Sequence, residues 1–596
     1  MAEKIVSPGV FTRENDLSFL SQGIGEIGAA VIGPFQKGPA FVPTVVNTQS
    51  EFEEIFGTPN GSYYTGYTVQ NYLREAGTVT IVRVGNIGGY TQTAPVAIVA
   101  SGSVGGEKIV GTLFETHTGR GTLSGSTLTS EVSASAFSIQ LTGSAAISAS
   151  INPADGNDLG DVFGTNPRGT KEAYVYNYFE KASADFLGKV DGGEVSLITL
   201  SNQAFSTDIQ HASTPWIQSQ LISGERHNLF RLHSIGDGSS YNKEFKVSIS
   251  NVKAAGSTNS TDYSTFTLSI RGFSDTDKRK SVLETYNNIN LDPASPNYIK
   301  KVIGDRNLVI DANGKQTENG DYPNRSKFVR VETVAEGSHP IVAGPFGHAK
   351  YYNPILVGNI GAHGLGESII PSVLFATGSD ANTSSKSTVF SGIDLETPQV
   401  KIDNNNYLSP VPTGATQGGN TVFAFDGTVS IVGGTKSFGY ELTGSLSSDV
   451  NKRQFTVGFQ GGFDGCDPTI EKALAGSSAN FGSGNSQGFN LSTSTASGSV
   501  AYVKAIASVS NPDDFDINLI SVPGIVRRHH SYVFDKVVDM VEAREDAFFI
   551  GDVVGVNYNS SNGNVTSDTI SQAIEQGVAV DSNYVGTYYP WVKTID

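Results

Sequence analysis

Asp516-Ile517-Asn518-Leu519-Ile520-Ser521-Val522, then Pro523-Gly524, the stretch Ser531 to Asp546 and Ala547-Phe548-Phe549-Ile550 decide the fold. The first run is short, apolar and rich in branched side chains, which predicts a strand. In Ser531 to Asp546, Phe534, Val537, Val538 and Val541 recur at helical spacing and fall on one face. Ala547 to Ile550 then begins a second strand. Strand, helix and strand in that order form a β-α-β crossover, which joins parallel strands.

Far towards the N-terminus a second passage has the same grammar. Ala29-Ala30-Val31-Ile32-Gly33 is wholly apolar and ends in Gly and Pro, as a strand buried on both faces would. Ser50-Glu51-Phe52-Glu53-Glu54-Ile55-Phe56 predicts a helix with Ser50 as N-cap, acidic residues in its first turn and a stop at Gly57-Thr58-Pro59. Thr68 to Ala76 predicts another, with Val69, Tyr72 and Leu73 on one face, and Thr78 to Val84 a β-branched strand. Together these predict a parallel α/β unit with covered faces.

What separates the two passages reads differently. Residues 95–195 are crowded with Ser, Gly, Thr and Ala and predict an inserted β-rich domain. Residues 196–345 predict a second, mixed insertion: Phe245 to Ile249 and Phe266 to Ile270 alternate as half-buried strands, while Lys280 to Asn287 and Asn297 to Ile303 have helical character. Residues 346–505 return to Gly/Ser/Asn-rich text with strands at Thr421 to Phe425 and Gln454 to Val457, read as continued core with β elaborations. The core resumes at 24–94 and 506–596, and residues 1–23 predict an extended arm. In that arm Ser7-Pro8-Gly9 breaks regular pairing, and Ile5, Val6, Val10 and Phe11 would be wasted in a solvated tail.

Composition agrees. The 596 residues suffice for about four domains, and charged residues are only 16% while Gly numbers 68, a mix of strands and turns that excludes coiled coil. The net charge of −18, from 40 basic and 58 acidic residues, argues against binding along nucleic acid. A lone Cys466 cannot form an intrachain disulfide and suits a reducing cytoplasm. The first residues carry no apolar signal region and no apolar run is long enough to span a bilayer, so export and membrane insertion are not expected.

Catalytic chemistry finds little to stand on. There is no G-x-S-x-G elbow, and Cys466 sits in a Gly turn without a helix N-terminus to activate it. His529-His530 read as polar residues opening a helix. The nine His are scattered, which predicts no metal site. Asp311 to Asp321 mimics a calcium loop but places Gly314 too early, so it reads as a turn-rich hairpin. Gly458 to Gly465 lacks the Lys-Ser/Thr of a phosphate loop and reads as tight turns needing positive φ. Asp277-Lys278-Arg279-Lys280 reads as a solvated helix start. No cofactor is expected, and a structural or assembly protein fits better than an inert or active hydrolase or a surface adhesin.

In order, several stretches resemble the tail sheath proteins of contractile-tailed bacteriophages. Ser7-Pro8-Gly9-Val10, Gly28 to Pro34 and Lys37-Gly38-Pro39-Ala40 resemble the sheath opening. Phe56-Gly57, Tyr72-Leu73 and Val79 to Val84 are similar to its next helix and strand. The run Asp275 to Lys278, Val282-Leu283-Glu284, Leu291-Asp292-Pro293, Ser295 to Ile299 and Val302 to Asp305 resembles its middle pattern, and Gly461 to Gly465 its double-glycine turn. Asn511 to Ile520, Pro523-Gly524 and Arg544 to Ile550 look like the subtilisin-like core.

The resemblance implies an α/β and β-rich multidomain fold: a discontinuous subtilisin-like core, inserted outer β-rich domains and an extended N-terminal arm. It implies that Ile5, Val6, Pro8, Gly9, Val10 and Phe11 lie at a subunit interface. Partners would be further copies in stacked hexameric rings, the tail tube protein, and baseplate and terminator proteins, in a virion tail assembled in the bacterial cytoplasm. Contraction would drive the tube through the host envelope. The subtilisin-like label concerns fold alone, so no proteolysis is implied. A tube-facing C-terminal region usual in sheaths is expected beyond Asp581 to Trp591, where this sequence stops at Asp596.

Overall fold

The computed structural model describes residues 28–348, with longer breaks at 102–106, 118–131, 140–146, 151–156, 178–193, 220–226 and 256–262, four short strands between 416 and 437, and 455–591 with breaks such as 475–480 and 560–563. The arm residues Ile5, Val6, Pro8, Gly9, Val10 and Phe11 lie outside the described residues, as does most of Thr421 to Phe425.

Both α/β passages enter one six-stranded sheet, in the order Thr44–Val46, Val79–Arg83, Ala29–Gly33, Leu519–Val526, Phe548–Asp552, Val585–Thr587. All neighbours are parallel except Thr44–Val46, which runs antiparallel to Val79–Arg83. Ala29 pairs with Val79 on one side and Leu519 on the other, so strands 490 residues apart in sequence lie side by side. Strands Ala29–Gly33 and Val79–Arg83 are buried at every position because alternate residues feed two cores. Ala29, Val31, Val79 and Ile81 meet Phe52, Phe56 and Val69 from helices Gln49–Phe56 and Tyr64–Glu75. Ala30, Ile32 and Val82 meet Tyr502, Phe534 and Val537 from helices Ser497–Ala507 and Arg527–Arg544.

A second core belongs to two antiparallel sheets. One runs Val282–Ile289, Thr265–Gly272, Phe245–Lys253, Phe455–Gly458, and the other is built on Asn228–Asp237, which pairs with His211–Ser213, Ile217–Ser219 and Val329–Thr333. Phe230 and Phe266 stack across them at 5.6 Å. Phe455–Gly458, read from sequence as part of a continued core, hydrogen-bonds here to Phe245–Lys253. A further antiparallel sheet orders Ala173–Asn177, Glu107–Glu115, Val96–Ser101 and Glu194–Thr199.

Four local expectations are corrected. Lys280 to Asn287 is not helical: Val282–Ile289 is an edge strand, in which Glu284 and Tyr286, two apart, share a side and the Tyr286 hydroxyl donates to Glu284 at 2.8 Å. Arg279 and Lys280 therefore sit exposed in the approach to a strand, not at a helix start. The cap of the first helix is Thr48, whose hydroxyl accepts from the Glu51 N–H at 3.2 Å, and Glu51 returns a carboxylate to the Asn47 N–H; Ser50 is already inside. Leu519–Val526 continues through Pro523-Gly524, because Gly524 adopts φ 87° and the ladder shifts register there.

Candidate functional site

In a parallel sheet ligands gather outside the carboxyl ends of the strands, where strand order reverses. Here that point lies between Ala29–Gly33 and Leu519–Val526. Side chains bridge part of it, beside a cavity of about 450 Å³ lined by Phe35, Gln36, Arg83 and Gln487. The Gln487 side chain accepts from the Tyr64 N–H at 2.8 Å and donates to the Pro523 carbonyl at 2.9 Å, and the Ser486 hydroxyl donates to the Gly524 carbonyl at 2.6 Å. Gly33 abuts Thr65, where an added Cβ would lie 2.5 Å from the hydroxyl. The Trp591 indole donates to the Val554 carbonyl at 2.9 Å and packs edge-on against Tyr64.

His529 and His530 do open helix Arg527–Arg544, but His530 is a structural joint rather than a solvated residue. Its backbone leaves helical geometry, its Nδ1 accepts from the Val526 N–H at 3.0 Å, and its Nε2 faces the Gly482 carbonyl at 3.3 Å. That places the proton on Nε2 and leaves no ring nitrogen to serve a nucleophile. Burial, opposed by the Gly482 contact, brings its pKa down to about 4. Burial pushes the Cys466 thiol up to about 12, far from thiolate chemistry. Asp552, at the end of its strand, is pushed up to about 6 by burial.

Asp311 forms the turn of the hairpin Asn307–Ile310 and Gln316–Asn319, its carboxylate accepting from Asn313 and Lys315 N–H groups at 2.8 and 2.9 Å. Gly461 and Gly465 have φ 80° and 73°, and a Cβ on Gly465 would meet the Asn86 carbonyl oxygen at 2.1 Å. Among the described residues no three His, Cys, Asp or Glu are grouped to hold a metal, and no helix is long and apolar enough to cross a membrane.

The densest polar construction joins the parallel sheet to the antiparallel module. Arg83 is 4% exposed; its guanidinium donates to the carbonyls of Phe35, Gly38 and Asp237 at 3.3, 2.6 and 2.7 Å. The Ala40 N–H donates to the Asp237 carboxylate at 2.8 Å, the Gly38 N–H donates to the Tyr241 hydroxyl at 3.1 Å, and Lys37 pairs with Glu244. Gly38 has φ 106°, which favours glycine, and a side chain there would strike Phe56. Sequence reading passed over this joint. Its signal was one charge, Arg83, inside the apolar run Thr78 to Val84.

Among the described residues the sheet ends in two edges, Thr44–Val46 and Val585–Thr587. Just before the second in sequence, helix Ile570–Val578 carries a capping box at Thr569 and Gln572 and leaves Ile570, Ile574 and Val578 64%, 61% and 77% exposed. Unpaired strand edges and exposed apolar stripes are each surfaces suited to further association.

No protein-family profile matches the chain. The tail sheath protein of Vibrio phage KVP40 is 31% identical to it over 81 residues, an alignment covering 13% of this chain and 12% of that protein. Over that span the chain is similar to a phage tail sheath protein.

Proposed function

We propose that this chain is a tail sheath subunit of a contractile phage tail or of a closely related injection device. The observation that carries the reading is the local likeness to the KVP40 tail sheath protein. Two features support it: a parallel sheet assembled from sequence-distant passages and, among the described residues, an unpaired edge at Val585–Thr587. On this reading the role is structural and non-enzymatic, the α/β sheet belongs to a subtilisin-like core, and the antiparallel modules are outer insertions.

Copies stack as hexameric rings around a tube protein, between a baseplate and a terminator. The apolar arm residues Ile5, Val6, Pro8, Gly9, Val10 and Phe11 add a strand to the edge of a neighbouring copy, where unpaired backbone groups are satisfied. Contraction needs no nucleotide, because a lattice metastable in one arrangement stores the work.

Negative-stain microscopy of the purified chain tests the reading. Rings or tubular polymers are expected, and deletion of residues 1–20 should leave folded monomers that no longer polymerise. A strictly monomeric parent, or normal tubes from the deletion, would sink the assembly or the arm respectively.

A further inference from the structure

Among the described residues, helix Ile570–Val578 carries an apolar stripe that nothing covers. Ile570, Ile574 and Val578, spaced four apart, share one side of it and are 64%, 61% and 77% exposed, and none of the helix residues is buried. The helix is nevertheless fixed in place. Thr569 and Gln572 cap each other's backbone at its start, and Ala573 and Val580 rest on the core that holds Phe534 and Phe549. A row of branched side chains anchored in water forgoes the apolar burial that a covering segment would supply.

The chain enters the sheet at the end where this helix leaves off. Residues 1–27 precede Gly28, and Gly28 leads straight into strand Ala29–Gly33. The ladder sets Ala29 level with Leu519, Leu519 with Phe548, and Phe549 with Val585. Ala29 and Tyr584 thus stand at the same end of the sheet, three strand spacings or about 14 Å apart. The helix ends at Val578, shortly before Tyr584 in the chain. Reading back from Gly28, the first bulky apolar cluster is Leu20, Phe19 and Leu17. The stretch from Leu20 to Gly28 extends to roughly 26 Å, nearly twice the gap to Tyr584, which leaves length to reach Val578. A tether that short holds these side chains near the stripe at an effective concentration on the order of millimolar, which a second copy in dilute solution does not match.

We propose that Leu17, Phe19 and Leu20 of the same chain lie on this stripe, Leu20 against Val578 and Leu17 against Ile574, so that the root of the N-terminal segment clasps the end of the parallel sheet. The more distal Ile5, Val6, Val10 and Phe11 are left for a neighbouring copy. The clasp does not depend on the sheath reading, since a lone chain contains both of its halves.

The test uses the full chain with Cys466→Ser. Oxidation of Leu20→Cys combined with Val578→Cys should give a disulfide within one chain, identified as a linked peptide pair by mass spectrometry. Mixing isotope-labelled with unlabelled protein separates links within a chain from links between chains. A second measurement follows the reaction of Ile574→Cys with a soluble maleimide. Adding Leu17→Ser, Phe19→Ser and Leu20→Ser should speed it at least about fivefold, and the difference should persist on dilution because the contact is within one chain. Glu542→Cys, exposed on helix Arg527–Arg544, should react equally fast with either segment. Links found only between chains, or an acceleration that vanishes on dilution, would give the stripe to a second copy and overturn the clasp. An Ile574→Cys rate unmoved by the three Ser substitutions would overturn it too and leave the stripe to a different partner.

Discussion

Arg83 closes a strand of the parallel sheet, Asp237 closes a strand of the antiparallel module, and Nη1 of the first donates to the carbonyl oxygen of the second at 2.7 Å. The two residues are 154 apart in sequence, so the bond fixes how one module sits on the other. A buried guanidinium gripping three backbone carbonyls makes that joint stiff without a flexible partner side chain.

Arg83→Met should therefore cost about 3 kcal/mol, because it takes the donor from three backbone carbonyls at once. Arg83→Lys should restore less than half, since an ammonium cannot span the three acceptors. Urea unfolding followed by far-ultraviolet circular dichroism measures both. Parent-like stability in Arg83→Met would mean that the joint is not held there.

Within the antiparallel module, Asp275 lies between Arg271 at 2.8 Å and Lys246 at 3.0 Å, with side chains 3%, 1% and 1% exposed. Burial raises the Asp275 carboxyl, but hydrogen bonds from Arg271 and Lys246 outweigh it and hold it below the ordinary carboxylate value. Asp275→Asn leaves two buried cations short of their counter-charge and should cost about 3–5 kcal/mol. Replacing Lys246, Arg271 and Asp275 together by apolar residues should cost less than Asp275→Asn alone. Equal losses would show that the three contribute packing, not charge.

Sequence legibility followed the physics of each segment. Buried parallel strands announce themselves as apolar runs, so Ala29 to Gly33 and Leu519 to Val522 were readable, and the helix through Phe534, Val537 and Val541 by its spacing. The helical expectation for Lys280 to Asn287 failed because the pairing that makes Val282–Ile289 a strand comes from residues 265–272, outside any local pattern. The Arg83 joint was invisible for a similar reason: its partners Phe35, Gly38 and Asp237 lie 48, 45 and 154 positions away, and local pattern carries no record of such meetings. The Thr48 cap was missed by two residues because Ser50 is chemically as good a cap.

Gly524 interrupts a strand that local pattern would have ended. With φ 87° and a Cβ position 2.1 Å from the Gln487 Nε2, it faces both backbone strain and collision. Gly524→Ala should destabilise by more than about 1 kcal/mol. Adding Gln487→Ala should relieve the collision but not the strain, so the double variant should stay below Gln487→Ala in thermal midpoint. If Gly524→Ala behaved like the parent, the kink at Pro523-Gly524 would not be required for the sheet.

The pH response should be set by buried imidazoles. Burial chiefly, with nearby cations, lowers His211 to about 3, and burial lowers His530 to about 4, against 6.5 when the chain is unfolded. Below pH 6.5 the unfolded chain therefore takes up protons that the folded chain refuses. The stability these groups contribute is present above pH 6.5 and is lost as pH falls towards 4 for His530 and 3 for His211. Glu332, held near 2 first by its hydrogen bond with His233 and then by Arg231 against burial, adds a loss in the same direction below about pH 4.5. Asp552 opposes them: raised to about 6, it contributes stability at low pH that is lost as pH rises from 3.8 through 6. His530 is buried and can account for up to about 3 kcal/mol. His530→Asn keeps an acceptor for the Val526 N–H while removing the titration, so it should lower stability modestly at pH 7 and flatten the decline between pH 6.5 and 4. Hydrogen exchange of the amides in helix Arg527–Arg544, measured at pH 7, 6 and 5 and corrected for intrinsic rates, reads that slope. An unchanged slope in His530→Asn would move the acid sensitivity elsewhere in the molecule.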